Sequence, residues 1–217
     1  MIENNSHILS KIQIDALREL SHISVGSAAT ALSEFIDKPV RMNPTAEIIF
    51  NSAEELQMVI GGVPRITVVA SDIPEKISGH LVIIFEDEIS QAIVNTLLGA
   101  TLKAGFEMNV DMRISALKEI GQVMFGSYLT AMGHMTSVSL MITPPSYDSG
   151  KSSKMLDLTV SRSRKDDIPT ICFETFFWVE SVPDKIEGYI LFIPSPISLK
   201  VVLSILGVEK FDYLPSS

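Results

Sequence analysis

The spacing of apolar residues predicts one long helix at the start of each half of the chain. In Ile12–Ile36 and again in Met112–Met135, apolar side chains recur every three or four positions, which is the period of one helix face. These residues include Leu17, Leu20 and Ile23 in the first helix, and Leu117, Ile120 and Met124 in the second. We expect them to face a core and the polar residues between them to face solvent.

Short segments rich in β-branched and aromatic residues predict strands after each helix. They are Ala46–Phe50 and Arg65–Ser71 in the first half, and Ser137–Thr143, Met155–Arg162 and Thr170–Val179 in the second. A further strand follows in each half, Gly79–Phe85 and Gly188–Ile193, and then a second helix, Glu88–Leu98 and Pro196–Leu206. Both second helices precede a glycine, Gly99 or Gly207, which suits a left-handed cap.

The two halves read as copies of one unit. At an offset of 100 residues, identities include Ala16/Ala116, Glu19/Glu119, Gly26/Gly126 and Thr30/Thr130, and Asp72–Phe85 matches Ser181–Pro194 at an offset of 109. Such self-similarity indicates an internal repeat. We therefore predict an α+β fold and a single domain over residues 1–217, made of repeats at about 12–100 and 112–208. A pseudo-twofold axis would relate the repeats, with a shared β-sheet and the two long helices packed against it.

Composition narrows the classes of function. The chain has 46% apolar and 20% charged residues and a net charge of −9, which disfavours a nucleic-acid partner. The densest charge run, Ser161–Asp167, is mixed in sign and predicts a solvated turn between strands. No apolar run is long enough to span a bilayer, and the N-terminus lacks a secretory signal. A single cysteine, Cys172, among strand-forming residues predicts a buried core residue in a cytoplasmic protein without membrane insertion.

Each long helix places a carboxylate and a hydrogen-bonding side chain on one face. Residues three apart on a helix are neighbours, so Glu19 lies beside His22, and Glu119 beside Gln122. Asp15 and Ser115, four positions earlier, belong to the same faces, which we expect to point outward. Taken alone, this pattern is typical of any solvated helix.

Glycines stand in the middle of both long helices, at Gly26 and Gly126. A mid-helix glycine costs about 1 kcal/mol relative to alanine. Its recurrence at one position predicts close approach of another helix there, so we expect tight packing and assign these glycines no chemistry.

The spacing of these polar residues resembles the signature of the CheC/CheX/FliY family of chemotaxis phosphatases. That signature has Asp or Ser, three residues, Glu, two residues, Asn, and a proline about 22 residues later. Here Pro44 and Pro144 take the proline positions, and "ALKEIGQ" is similar to the family's "ALKEIGN". The likeness runs from Ile14 to Val208. The two-site layout and length favour CheC over the shorter, single-site CheX and over FliY, which carries an added motor-switch domain. A structural part of the flagellar switch is a less favoured expectation, because a chain ending at Ser217 would have no room for an appended switch domain.

The resemblance implies a partner and a reaction. Family members bind the phosphorylated response regulator CheY and hasten hydrolysis of its aspartyl phosphate. The family's Glu, matched by Glu19 and Glu119, pairs with a lysine of the regulator, and the family's Asn positions the attacking water. Magnesium is held by the regulator, so no cofactor of the chain's own is expected.

The chain departs from the family at the Asn, which is His22 in the first half and Gln122 in the second. A primary amide offers a donor and an acceptor together, and a glutamine orients water in Ras-type GTPases. We therefore expect Gln122 to do the chemistry and Glu119 to dock the regulator. His22 has its donor and acceptor on opposite ring edges, so its site either orders water or acts as a base near neutral pH, or only docks the regulator. A metal-binding role for His22 lacks partners, because the other histidines, His7, His80 and His134, show no ligand spacing.

A second reading is a non-catalytic adaptor. CheC-like proteins also bind CheD, a receptor-modifying deamidase, through the last helix region, here about Pro196–Leu206. The competing interpretation of that helix is ordinary core packing, because its sequence is apolar on most faces. The sequence leaves phosphatase and adaptor open, and the decay of phosphorylated regulator would separate them.

Overall fold

The computed structural model describes residues 9–50, 53–60, 62–74, 77–98, 109–163, 170–180 and 186–208. Six helices lie in these ranges: α1 (Lys11–Ile36), α2 (Ala53–Val59), α3 (Asp87–Leu98), α4 (Val110–Thr136), α5 (Ser152–Ser163) and α6 (Pro196–Ile205). Six strands lie there too: β1 (Val40–Phe50), β2 (Arg65–Ile73), β3 (Gly79–Glu86), β4 (Ser146–Lys151), β5 (Thr170–Val179) and β6 (Ile186–Pro194). The predicted α+β class is confirmed.

The six strands form one antiparallel sheet in the order β1-β5-β6-β3-β2-β4. Strands of the two halves meet at its centre, where β3 pairs with β6 from Gly79 opposite Pro194 to Ile84 opposite Tyr189. Exchanging β1 with β4, β2 with β5 and β3 with β6 reverses the order and leaves it otherwise unchanged. A repeated chain would give this topology, and the duplication itself stays a prediction from the sequence.

The sheet has a hydrophobic core on each face. On one face the core holds buried residues of α1, α3, α4 and α6, with strand residues such as Val69 and Ile83. On the other face, α2 and α5 pack over residues such as Val68 and Ile84. Consecutive strand residues point to opposite faces, which explains why neighbours in β2 and β3 belong to different cores. The two long helices thus pack against one face of the sheet, as predicted.

The long helices bury the same positions in both halves. Apart from Gln13, each buried position of α1 has a buried counterpart in α4 exactly 100 residues later; examples are Leu17/Leu117, Leu20/Ile120 and Leu32/Met132. Each helix also ends in a non-glycine residue with left-handed backbone, Asp37 (φ 51°) or Ser137 (φ 54°). The predicted helix cap at Gly207 is confirmed, with φ 73°.

The predicted strand at Ser137–Thr143 is wrong, because the structure has no strand there and β4 begins at Ser146. Pro144 and Pro145 lack backbone N–H donors, so they cannot continue a ladder of hydrogen bonds. The segment is held instead by Thr143, whose N–H donates to the Asp72 carbonyl at 2.9 Å and whose Oγ1 accepts from the Asp72 N–H at 3.0 Å.

The predicted strand at Met155–Arg162 is also wrong, because these residues belong to helix α5. Its buried side chains are Met155, Leu156, Thr159 and Val160, a helical spacing that matches the core surface offered by α2 and the sheet. Ser161–Ser163 are therefore helical, whereas a turn was predicted. Helix α2 was not predicted at all, because its seven residues are too few for a clear period.

Several predictions fall outside the described part of the chain. They concern Gly99, the remainder of the charged run at residues 164–167, and the side chain of Cys172, although its backbone lies in β5. Among the helices of the described residues, none has the length and apolar character needed to cross a membrane.

Candidate functional site

The polar residues of α4 form one exposed stripe along the helix. Ser115, Glu119, Gln122 and Thr130 are exposed, and Gly126, on the same line, is half-buried. Their spacings of four, three, four and four residues keep them on one side of a helix. The residues that pack on the sheet, such as Ile120, lie on the other side. We call this line the α4 stripe.

The carboxylate of Glu119 and the amide of Gln122 are free of intramolecular partners in the described part of the chain. Both side chains are exposed and lie one turn apart. A buried or internally bonded Gln122 would have excluded a role in binding a water outside the fold. Among the described residues, none takes up the hydrogen-bonding capacity of this amide.

The equivalent line in α1, the α1 stripe, carries Asp15, Glu19, His22, Gly26 and Thr30, all exposed. Glu19 and His22 have no hydrogen bond or ion pair with any other described residue. Asp15 differs, because its Oδ1 is paired with the Arg18 guanidinium at 3.3 Å. Such exposed pairs contribute little to stability. Each helix therefore brings its own Glu and polar residue together on one face, as the sequence predicted.

One predicted core residue of α1 is at the surface. Ile23 was expected to face the core, yet it is 44% exposed, directly after His22. Its helical angle places it between the packed face and the α1 stripe, so the apolar spacing alone assigned it to the wrong side. The first-half site thus has an exposed isoleucine beside its histidine. The counterpart in α4 is the half-buried Val123.

The backbone of α4 approaches the sheet closely next to Gln122. Gly121 is buried, and a Cβ built on it would lie 2.6 Å from Val69 Cγ1 and 3.6 Å from Pro145 Cβ. A side chain at this position would require Val69 or the helix to shift. The equivalent position in α1 is Ser21, which is also buried. The backbone of α4 therefore packs closely against the sheet at Gly121, the residue that precedes Gln122.

The prediction that Gly26 and Gly126 mark close helix packing is wrong. A Cβ built on either glycine has no atom within 4 Å. Gly26 lies four residues after His22, and Gly126 lies four residues after Gln122. The helical period alone therefore predicts that both glycines lie on the exposed stripes. The small residues of α1 that are buried by packing are Ala28 and Ala29, which follow Gly26 by two and three positions and are 0% and 8% exposed.

Of the histidines other than His22, one lies on the sheet, one lies four residues beyond Thr130 at the end of α4, and one lies outside the described residues. His80 Nδ1 is 2.8 Å from Asp72 Oδ1 on the neighbouring strand, and His134 lies in the last turn of α4. His7 is among the residues that the structure does not describe. The described residues contain no group of three metal-binding side chains.

The chemistry available at the α4 stripe is that of an anion and an amide on a convex, exposed surface. The Gln122 oxygen can accept from a water while its NH₂ donates to a charged oxygen. The Glu119 carboxylate, about one helical turn from Gln122, can pair with a cation. Both groups are exposed, so they are accessible to a molecule that approaches this face of the helix.

Curated relatives carry names from one group of proteins. The chain is 28% identical over 163 residues to the flagellar motor switch phosphatase FliY of Bacillus subtilis, covering 74% of this chain and 40% of that protein. It is 23% identical over 201 residues to the CheY-P phosphatase CheC of the same organism, covering 91% of this chain and 95% of CheC. The chain thus spans less than half of the FliY relative and nearly all of CheC. No protein-family model matches it.

Solved structures agree on the fold. The crystal structure of Thermotoga maritima FliY matches with a TM-score of 0.69 at 17% identity, covering 93% of this chain and 99% of that one. The FliM middle domain of H. pylori matches with a TM-score of 0.58 at 15% identity, covering 91% and 99%. At such identities the likeness concerns the fold alone. The resemblance to the CheC/CheX/FliY family is confirmed by the relatives and the fold together.

Proposed function

We propose that this chain, a CheC-type protein in its relatives and its fold, accelerates hydrolysis of the aspartyl phosphate of a CheY-type response regulator, mainly through the α4 stripe. The observation that carries the proposal is the state of Gln122 and Glu119, since both are exposed, adjacent and free of partners among the described residues. A CheY-P phosphatase is among the relatives, and it matches over nearly its whole length.

In the proposed reaction the regulator supplies the phosphorylated aspartate and its magnesium. The Gln122 side chain reaches into the regulator's site, where its oxygen accepts a hydrogen bond from one water and orients that water in line with the bond to be broken. The water oxygen bonds to phosphorus, the bond from phosphorus to the aspartate oxygen breaks, and inorganic phosphate and a free carboxylate leave. Positioning of this kind requires little covalent chemistry from the protein.

Glu119 acts in docking. One turn from Gln122, its carboxylate pairs with a lysine of the regulator, as the family resemblance implies. A charge-assisted contact fixes the orientation of the two proteins, so that the amide meets the phosphoryl group. Gln122 is one methylene longer than the family's Asn, and a small shift of α4 relative to the regulator accommodates that length.

The first-half site docks without contributing much hydrolysis. A neutral imidazole at His22 cannot present a donor and an acceptor on the same edge. Glu19 keeps the carboxylate of the pair and is exposed like Glu119. We therefore assign most of the activity to Glu119 and Gln122, and a docking role to Glu19 and His22.

The decisive experiment follows the decay of a radiolabelled, phosphorylated CheY-type regulator from the same organism, in large molar excess over the chain. Accelerated decay with many turnovers per molecule supports the proposal. Unchanged decay, or slower decay in proportion to the amount of chain added, contradicts it, because binding alone gives either of these results. His22→Ala is a matched variant at the equivalent position of α1, and we expect it to retain most of the acceleration.

A second candidate function, adaptor binding of the receptor deamidase CheD, is favoured by the outer face of α6. Ser198, Leu199, Val202 and Leu203 are buried, whereas Ile197 is 76% and Ile205 is 39% exposed, with the half-buried Val201 between them. These three apolar residues form a line on one side of the helix. In this role Ile197→Asp weakens CheD binding, measured by titration calorimetry, and leaves regulator dephosphorylation unchanged. Equal CheD binding by wild type and variant contradicts it.

A further inference from the structure

The three glycines inside α4 differ in what the fold does with them. A Cβ on Gly121 would lie 2.6 Å from Val69 Cγ1, and a Cβ on Gly133 would lie 2.7 Å from the Val138 carbonyl oxygen. A Cβ on Gly126 would meet nothing within 4 Å. Glycine is the poorest helix former after proline. At two positions close packing requires it, whereas at Gly126 no contact within the described protein does.

The same situation recurs in α1. Gly26 is also without a neighbour within 4 Å of a built Cβ. In both helices a threonine four residues later donates its hydroxyl to the glycine carbonyl, Thr30 Oγ1 to Gly26 O at 3.0 Å and Thr130 Oγ1 to Gly126 O at 2.8 Å. The stripes therefore share a short stretch of bare backbone, bordered by a threonine whose hydroxyl is turned back onto the helix.

Gly126 lies directly beyond the reacting amide. It is four residues from Gln122, a rise of about 6 Å along the helix, and it belongs to the same stripe. Glu119 and Gly126 lie on opposite sides of Gln122 along the stripe. A partner protein whose phosphorylated centre contacts Gln122, and which also contacts Glu119, would therefore extend over Gly126. The absence of a side chain lowers the helix surface at this point by about the length of one carbon–carbon bond, roughly 1.5 Å.

We propose that Gly126 is a clearance residue of the docking surface. The phosphorylated CheY-type regulator rests against the bare backbone at Gly126, and this close approach lets Gln122 reach the phosphoryl group. A methyl group at this position holds the regulator away from the helix. Displacement of a reacting centre by about 1 Å lowers the rate of a catalysed reaction by up to about 100-fold. The inference rests on the proposed function and adds a specificity-determining residue to it.

Substitution of Gly126→Ala separates this role from a structural one, because the two predict opposite changes. The methyl group has free space and favours the helix, so we expect the melting temperature to rise by about 2–4 °C for a chain of this size. We expect kcat/KM for regulator dephosphorylation to fall by about tenfold. Asn95→Ala, at an exposed position of α3, is the control that adds helix propensity away from the stripe and leaves the activity unchanged.

Binding is measured separately, with regulator loaded with beryllium trifluoride as a stable phosphoryl mimic. Weaker binding by Gly126→Ala with a raised melting temperature supports the inference, even where wild-type protein shows no catalysis and the phosphatase proposal has failed. Unchanged binding and unchanged kcat/KM overturn the inference and leave the phosphatase proposal standing. A fall in melting temperature also overturns it, because the space above Gly126 would then not be free. Absence of regulator binding by wild type overturns both.

Discussion

The helices α1 and α4 share a scaffold and differ in the residue that would do chemistry. Every buried position of α4 has a buried counterpart 100 residues earlier in α1, and both helices end in a left-handed residue at the same place. Their stripes agree at Glu, Gly and Thr, and differ at two positions, Asp15/Ser115 and His22/Gln122. Substitution of a core residue is constrained by the residues packed around it, whereas an exposed side chain without partners among the described residues can be substituted with little effect on the fold. Function is therefore expected to diverge between the halves while the fold stays the same.

The buried faces of the two helices also pack differently. In α4, Gly121 packs closely against Val69, and the buried side chains are large: Met124, Phe125, Tyr128 and Leu129. At the equivalent positions α1 buries small ones, Ser24, Val25, Ala28 and Ala29. Complementary volumes let neighbouring helices fill the shared core at native density.

Gln122→Ala should remove most of the acceleration of regulator dephosphorylation, by about 100-fold, because loss of one positioned hydrogen-bonding group has effects of that size. His22→Ala should change the rate much less. The measurement is the first-order decay of phosphorylated regulator at fixed concentration. Equal losses in the two variants would mean that the halves are functionally equivalent and that the assignment to α4 is wrong.

Glu119→Ala should raise KM by about tenfold while kcat changes little, because a charge-assisted contact worth about 1.5 kcal/mol or more is lost from docking. Steady-state kinetics over a range of regulator concentrations measures both quantities. Glu19→Ala serves as the matched variant in α1. A fall in kcat without a rise in KM would place Glu119 in the chemical step and contradict a docking role.

Gly121→Ala should lower the free energy of unfolding by about 1 kcal/mol, because overpacking against Val69 costs about 2 kcal/mol and the gain in helix propensity returns about 1 kcal/mol. The melting temperature should then fall by about 2–4 °C, whereas Ser21→Ala in α1 should change it little. Calorimetry of the two variants checks this difference. A more stable Gly121→Ala protein would show that α4 is not seated tightly there.

His22→Asn should restore the family residue in α1 and increase the dephosphorylation rate about twofold, because two sites would then work in place of one. The cleanest measurement uses the Gln122→Ala background, in which the second site is silent. Activity that appears on adding His22→Asn supports an intact docking surface in α1. A silent double variant would mean that α1 has lost more than its asparagine.

Much of the fold was readable from the sequence because its strongest signals are periodic. The two long helices, the central strands and the last helix were predicted within a few residues, since each carries a long or regular apolar pattern. The α5 helix and the segment before β4 were not, because "MLDLTVSR" and "SVSLMIT" are rich in β-forming residues. In both places local propensity was overruled, by packing on α2 in one and by adjacent prolines in the other.

The amino-acid sequence alone specifies which residue types stand at the candidate site and that Glu119 and Gln122 share a helix face, because the helical period fixes direction. The surroundings of these residues depend on how the chain folds in three dimensions. The tertiary structure shows that Gly121 is pressed against the sheet while Gly126 is open, and that Ile23 is at the surface. Two glycines five residues apart look alike in a sequence, since the requirement for a missing side chain comes from neighbours that are distant along the chain.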